Sequence, residues 1–262
     1  MTTLTSTAPG LVLLRNGKNL TDYSLRAKDG GIGRVKDLYF DDQHWHLRYF
    51  VVDAGGWLDR RQVLISPEAV QASEWSLREL PVKLTKEEVR RSPPIDTDKP
   101  VSRQHEAELR EHYGWPPYWG VMFAATTPFT PLPRAVSPPG QAALSKNEDP
   151  HLRSLSEILG DRVEATDGEI GHVEDLLIDE KIWSIRYLIV NTRHWWPGKK
   201  VLISPWWISA INWAESKVVT DLTRAAIKGS PAYDPSQSLT VDHAGQLHDY
   251  YGRPRYSDWG TV

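Results

Sequence analysis

One stretch of this chain occurs twice. "AKDGGIGRVKDLYFDDQHWHLRYFVVD" begins at Ala27 and "ATDGEIGHVEDLLIDEKIWSIRYLIVN" begins at Ala165, an offset of 165 − 27 = 138 residues. The offset holds without a gap through residues 63–67 against 201–205. It still holds at Trp75/Trp213, Leu84/Leu222, Ser92/Ser230, His105/His243 and Tyr113-Gly114/Tyr251-Gly252. Roughly a third of the positions from 27 to 118 are identical, and many others exchange Ile, Leu and Val. Such a chain folds as one module used twice, and each copy is a control for the other.

A chain of 262 residues has room for two such modules, each with its own core. The reading is a flexible N-terminus over 1–18, a first repeat over 19–120, a linker over 121–150 and a second repeat over 151–262. Residues 121–150 hold six prolines with Ala, Ser and Thr and no apolar period. They read as a spacer, partly polyproline II, with a docking peptide as the alternative. The net charge of −3 gives no reason to expect a nucleic-acid groove or an anionic membrane as partner. The absence of cysteine excludes disulfides and thiol-based metal or redox chemistry. The apolar run at residues 11–14 is far shorter than the roughly 20 residues of a membrane helix. A soluble cytoplasmic protein without a membrane span is expected.

Within each copy the pattern is mostly β. Asp29-Gly30 and Asp167-Gly168 are turn dipeptides leading into "IGRVKDLYFD" and "IGHVEDLLID", whose apolar residues step as in a strand with a bulge. Asp41-Asp42 and Asp179-Glu180 mark the next turn. "WHLRYFVVD" and "WSIRYLIVN" then alternate as half-buried strands, and "QVLISP" and "KVLISP" form strands ended by proline. One or two further short strands are expected around Trp75 and Trp213. Strands this short and evenly spaced predict a small closed barrel. A helix follows each barrel, from Ser102 to Gly114 in the first copy and ending at Gly252 in the second. The fold class is mainly β, two small barrels in tandem, each with a short C-terminal helix.

The motifs "DGGIGRVKDLYFDD", "RYFVVD" and "VLISP", with "DGEIGHVEDLLIDE", "RYLIVN" and "VLISP" in the second copy, resemble the PRC-barrel family. That family includes the cytoplasmic domain of the photosynthetic reaction-centre H subunit, the C-terminal domain of a ribosome maturation factor, and free-standing bacterial proteins. The resemblance implies an interaction module with no shared catalytic residues. The chain has neither the N-terminal membrane helix of the H subunit nor the N-terminal domain of the maturation factor, so neither role carries over. A reaction-centre assembly or electron-transfer role would rest on family analogy alone.

The recurring residues Asp29, Gly30, Gly33, Asp167, Gly168 and Gly171 read as turns plus strand glycines at points of close backbone approach. They lack the span of a phosphate loop. Asp37/Asp175 and Arg48/Arg186 recur as charges, and an internal ion pair or strand-end hydrogen bond is expected of them. His44 and His46 lie two apart, which on a strand puts both rings on one face, a geometry that could hold a metal; the second copy has Ile182 and Ser184 there. His105 and His243 read as packed or capping histidines. No triad or metalloprotease helix motif is present, so no catalytic residue, enzyme activity or cofactor is expected.

Tryptophan is the compositional oddity, at 12 residues against 4 Phe. Trp45/Trp183, Trp57/Trp195 and Trp75/Trp213 occur in both copies and read as core or barrel-mouth packing. Trp196 stands opposite Leu58, and Trp206-Trp207 stand opposite Glu68-Ala69. A backbone that accepts Glu68 exposes that position, so Trp206 and Trp207, with Trp195, Trp196 and Trp57, are the candidate interaction residues, to be covered by the first barrel, the Pro-rich linker, a second copy of the chain or another protein. The expected function is an adaptor or scaffold that binds a protein partner or a second copy of itself, including a homodimer. A small-ligand or metal sensor at a barrel mouth is the alternative.

Overall fold

The computed structural model describes residues 14–58, 61–71, 77–93, 95, 101, 103–118, 151–192, 198–237 and 239–256. The 121–150 segment and Trp75, Trp195 and Trp196 lie outside the described residues. The first copy runs β1 (Leu14–Asn16), α1 (Gly17–Leu20), β2 (Ser24–Ala27), β3 (Gly30–Asp41), β4 (His46–Asp53), β5 (Gln62–Ile65), β6 (Glu79–Pro81), α2 (Lys86–Arg90) and α3 (Arg103–Tyr113). The second copy runs β7 (Leu152–Ser154), α4 (Leu155–Ile158), β8 (Arg162–Ala165), β9 (Gly168–Asp179), β10 (Ser184–Asn191) and β11 (Lys200–Ile203). It continues through β12 (Ile208–Asn212), β13 (Lys217–Thr220), α5 (Arg224–Gly229) and α6 (Val241–Tyr250). The molecule is mainly β, and the elements of the two copies keep the 138-residue offset.

The chain divides into two compact units that are not the two repeats in chain order. One unit comprises residues 1–23, 37–48 and 153–262; the other comprises 24–36 and 49–152. The first unit therefore contains the second copy's sheet together with the leading segment and the β3–β4 hairpin end of the first copy.

In the first unit, β12, β13, β8, β9 and β10 are neighbours in that order. The β13–β8 pair is parallel and the others antiparallel. β11 adds antiparallel to β10. The β9–β10 register slips twice, so this strand pair carries the expected irregularity. All eight residues of β10 are buried, where the sequence alternation predicted a half-buried strand. The polar positions are covered because Arg186 turns onto Asp179 and lies over the Tyr256 ring, and the Tyr187 hydroxyl meets His248. Ile170, Leu176, Ile178, Leu188 and Ile203 fill the core beneath.

In the second unit, β2 pairs parallel with β6 and antiparallel with β3, and β5 pairs antiparallel with β4. Leu25, Ile32, Val52, Leu64 and Leu80 close its core. α2 begins with a reciprocal capping box between Thr85 and Glu88. α3 runs to Tyr113 and stops at Gly114, whose φ of +69° lies in the left-handed region that glycine enters without strain.

The hairpin turn is built on the same plan in both copies. Asp41 Oδ1 accepts the backbone N–H groups of Gln43 and His44, and Asp179 Oδ1 accepts that of Lys181. The chain then turns through Trp45 and Trp183 in left-handed conformations, φ 59° and 56°. Arg48 and Arg186 close back onto the second oxygen of the same aspartate.

Candidate functional site

The repeated glycines and aspartates have structural placements. A Cβ on Gly33 would lie 1.9 Å from the Asp53 carbonyl oxygen, and one on Gly171 would lie 2.1 Å from that of Asn191. Both positions therefore require glycine for close backbone approach. Asp29 and Asp167 accept the first N–H of α2 and α5, from Lys86 and Arg224, at 2.8 and 2.7 Å. Gly30 and Gly168 turn the chain beside them, at φ 142° and 128°.

Arg48 and Arg186 do form internal ion pairs, but with Asp41 and Asp179, seven residues away. Burial alone would push the Asp41 carboxyl up. The His44 backbone N–H and Arg48 outweigh it and hold the group below the usual carboxylate range. Asp37 and Asp175 play another part. Asp175, buried, accepts from Lys18 N at 3.0 Å and Asn16 Nδ2 at 3.1 Å. Asp37 accepts from Ser156 N at 3.2 Å and Ser156 Oγ at 2.6 Å. Each aspartate thus binds the segment that leads into the other copy.

His44 does not share a strand face with His46. It stands exposed in the turn, with Nδ1 3.2 Å from Asp41 Oδ1, because Asp41 draws residues 43 and 44 into the turn and the strand begins at His46. His46 Nδ1 donates to the His44 carbonyl at 2.9 Å, and burial lowers its pKa. Among the described residues no group of three or more His, Asp or Glu could hold one metal ion. His105 is half-buried, and His243 is exposed on the first turn of α6, where its backbone N–H meets the Thr240 cap.

The candidate tryptophans separate sharply. Trp57 is half-buried, donates Nε1–H to the Ile32 carbonyl and carries Lys86 Nζ 4.4 Å from its ring centre. Trp45 is buried and stacks on Phe40 at 5.5 Å. Trp207, paired with Trp206 in the sequence reading as a surface residue, is only 3% exposed. It packs against His248 and Tyr251 at 5.1 and 4.8 Å, and so belongs to the core between β11 and α6. The 3-10 turn of Pro205–Trp207 explains the contrast, because at three residues per turn adjacent side chains point about 120° apart. Trp206 is 69% exposed.

Trp206 is a wall shared by two hollows of the first unit, of about 580 and 340 Å³. The larger is lined by Trp45, Ile185 and Tyr256 with His44, His46, Arg253 and Arg255, and among the described residues its lining holds no carboxylate. Its titratable groups are already engaged. Arg253 meets Asp221, Arg255 meets Asp249, and His248 donates from Nδ1 to the Pro254 carbonyl while Nε2 accepts from the Tyr187 hydroxyl at 3.1 Å. What the site offers a ligand is an exposed indole beside a concave aromatic surface with basic edges.

Two features escaped the sequence reading. The short helices α2 and α5 are single turns, too brief for a periodic signal, although "TKEE" carries the capping-box letters. The leading strands β1 and β7 also went unread. The signal was present, since Leu14-Arg15 falls on Leu152-Arg153 at the same offset. Among the described residues no helix is long and apolar enough to cross a membrane. A family model described as the PRC-barrel domain matches residues 20–78 and 150–226. No curated protein matches the chain at a significant level.

Proposed function

The chain belongs to the PRC-barrel domain family as a tandem pair, and from that premise we propose that it is a non-catalytic docking module that holds a partner protein at Trp206. The exposure of that indole, 69% at a position where the first copy carries Glu68, is the observation that supports this reading. Burying an indole removes roughly 150–250 Å² from water, and tryptophan anchors are among the strongest interface residues. The engagement of each arginine and of His248 in internal pairs supports a binding surface rather than a proton-transfer centre.

The test replaces Trp206 with a photo-reactive phenylalanine derivative in the producing cell, with the same replacement at Glu68 as control. One dominant adduct with a foreign protein is expected at 206 and not at 68. The captured protein, once purified, should bind wild type and lose at least about tenfold in affinity against Trp206→Glu. An adduct of doubled chain mass would instead mean self-association, and no adduct at 206 would end the docking reading. The larger hollow also has the volume of a small-ligand site, which favours a sensor as the second reading. A compound that raises the melting point of wild type but not of Trp206→Glu would decide for it.

A further inference from the structure

The contacts that join the two copies inside the first unit come in pairs related by exchange of the copies. Ser184 lies opposite His46 in the β10–β4 pairing, and 184 − 46 = 138, so a residue faces its own counterpart. On either side, Leu47 N–H donates to the Trp183 carbonyl at 2.8 Å and Ile185 N–H donates to the Trp45 carbonyl at 2.7 Å. Arg15 meets Glu180 at 2.5 Å and Arg153 meets Asp42 at 3.2 Å. Lys18 N–H reaches Asp175, and Ser156 N–H reaches Asp37. β1 pairs with residues 177–179 of β9, and β7 pairs with β3. In each of these hydrogen bonds and ion pairs the second contact is the first with its two residues moved by 138 in opposite senses, and the strand pairings follow the same exchange of elements.

This is the signature of an isologous interface, in which the same patch is used twice about a two-fold axis. The leading segments are its exchanged arms: each leaves its own copy and adds to the sheet of the other, held by a repeated aspartate and a repeated arginine. We propose that residues 14–20, 37–48, 152–158 and 175–186 form a self-complementary pairing surface whose fitting partner is a second module of the same kind, and that it holds without the covalent link through residues 121–150. This inference is independent of the Trp206 reading, because Trp206 takes no part in these contacts.

The test uses the full chain with a specific protease site inserted between residues 135 and 136, cut after folding and followed by light scattering at micromolar concentration. The cut protein is expected to remain one particle of the intact mass, 29.8 kDa. Glu180→Arg, which sets like charges against each other at Arg15, should raise the dissociation constant of the cut halves about fivefold or more. Adding Arg15→Glu to that variant should restore it. Asp37→Ala with Asp175→Ala should separate the cut halves while the uncut variant keeps its far-ultraviolet spectrum; should that pair fail to fold, the charge-reversal series decides. Cut wild-type halves that part at micromolar concentration overturn the proposal. So do halves that stay together with a dissociation constant unchanged by Glu180→Arg.

Discussion

The junctions between barrel and C-terminal helix occupy the same places in the two copies and are built from different chemistry. In the second unit, Glu106 on α3 is fully buried and accepts the hydroxyls of Tyr49 and Tyr118, at 3.2 and 2.7 Å. Arg110, one turn on, reaches Glu68 at 2.7 Å and lies over the Tyr118 ring. In the first unit the counterparts of Glu106 and Arg110 are Ala244 and His248, and the counterparts of Glu68-Ala69 are Trp206-Trp207. A small Ala69 with long charged partners has become a large Trp207 with small or ring-shaped ones. One backbone accepts either solution provided that the volume is filled. The comparison also accounts for Trp206. Glu68, itself exposed, is tied to the buried Arg110, whereas His248 is committed to Pro254 and Tyr187, so position 206 carries a side chain that stands in solvent.

The largest effect should come from breaking the aromatic junction. Trp207→Ala removes a buried indole that touches His248 and Tyr251, and the first copy lives with Ala69 only because Glu106 and Arg110 fill the space. A loss of about 3–5 kcal/mol is expected, read as a lower urea midpoint. A loss under about 1 kcal/mol would mean that the first unit does not depend on this packing.

A smaller effect separates the copies by pH. Asp161, at the start of β8, is 3% exposed, and its counterpart in the first copy is Tyr23. Burial pushes the Asp161 carboxyl up to about 6, with the nearby Glu157 charge adding and a Ser216 hydrogen bond opposing. A carboxyl with a raised folded-state pKa binds its proton more tightly folded than unfolded. Its contribution is therefore fully present below about pH 4 and is lost as pH rises to about 6. Asp161→Asn should remove that fall, so the variant gains up to about 3 kcal/mol over wild type between pH 4 and 7. His248 slopes the other way: burial lowers its pKa, so its contribution is present above about pH 6.5 and lost as pH falls through the folded value. Equal stability differences between Asp161→Asn and wild type at pH 4 and pH 7 would refute the assignment.

How much of this was legible follows the range of each signal. The duplication, the turns at Asp29 and Asp167, the strand glycines and the mainly β fold were legible because each rests on local backbone geometry repeated in both copies. The aspartate–arginine pairing was legible in kind but not in partner, since Asp37, Asp41 and Asp42 all lie within reach of Arg48 in sequence and only the turn selects Asp41. The exchange of leading segments was not legible, because three-residue strands carry no periodicity and the partners they meet lie more than 100 residues away. The tryptophan pair was legible only by half. Position 206 could be argued from Glu68, but the burial of Trp207 depends on what α6 lacks at Ala244 and His248, a long-range compensation that no local pattern records.

The smallest effect is the most useful. Trp206→Glu exchanges a side chain that is 69% exposed for the one the first copy carries, at a position whose backbone N–H already meets the Ser204 hydroxyl. No buried hydrogen bond is broken, and only the packed third of the indole is lost. The stability change should be under about 1 kcal/mol, with an unaltered urea slope. Against the loss expected for Trp207→Ala, two adjacent tryptophans then differ severalfold in what they contribute to the fold. That difference turns any binding defect of Trp206→Glu into a statement about the surface. If Trp206→Glu destabilised the chain as strongly as Trp207→Ala, the two indoles would form one core, and the contrast between the junctions would lose its meaning.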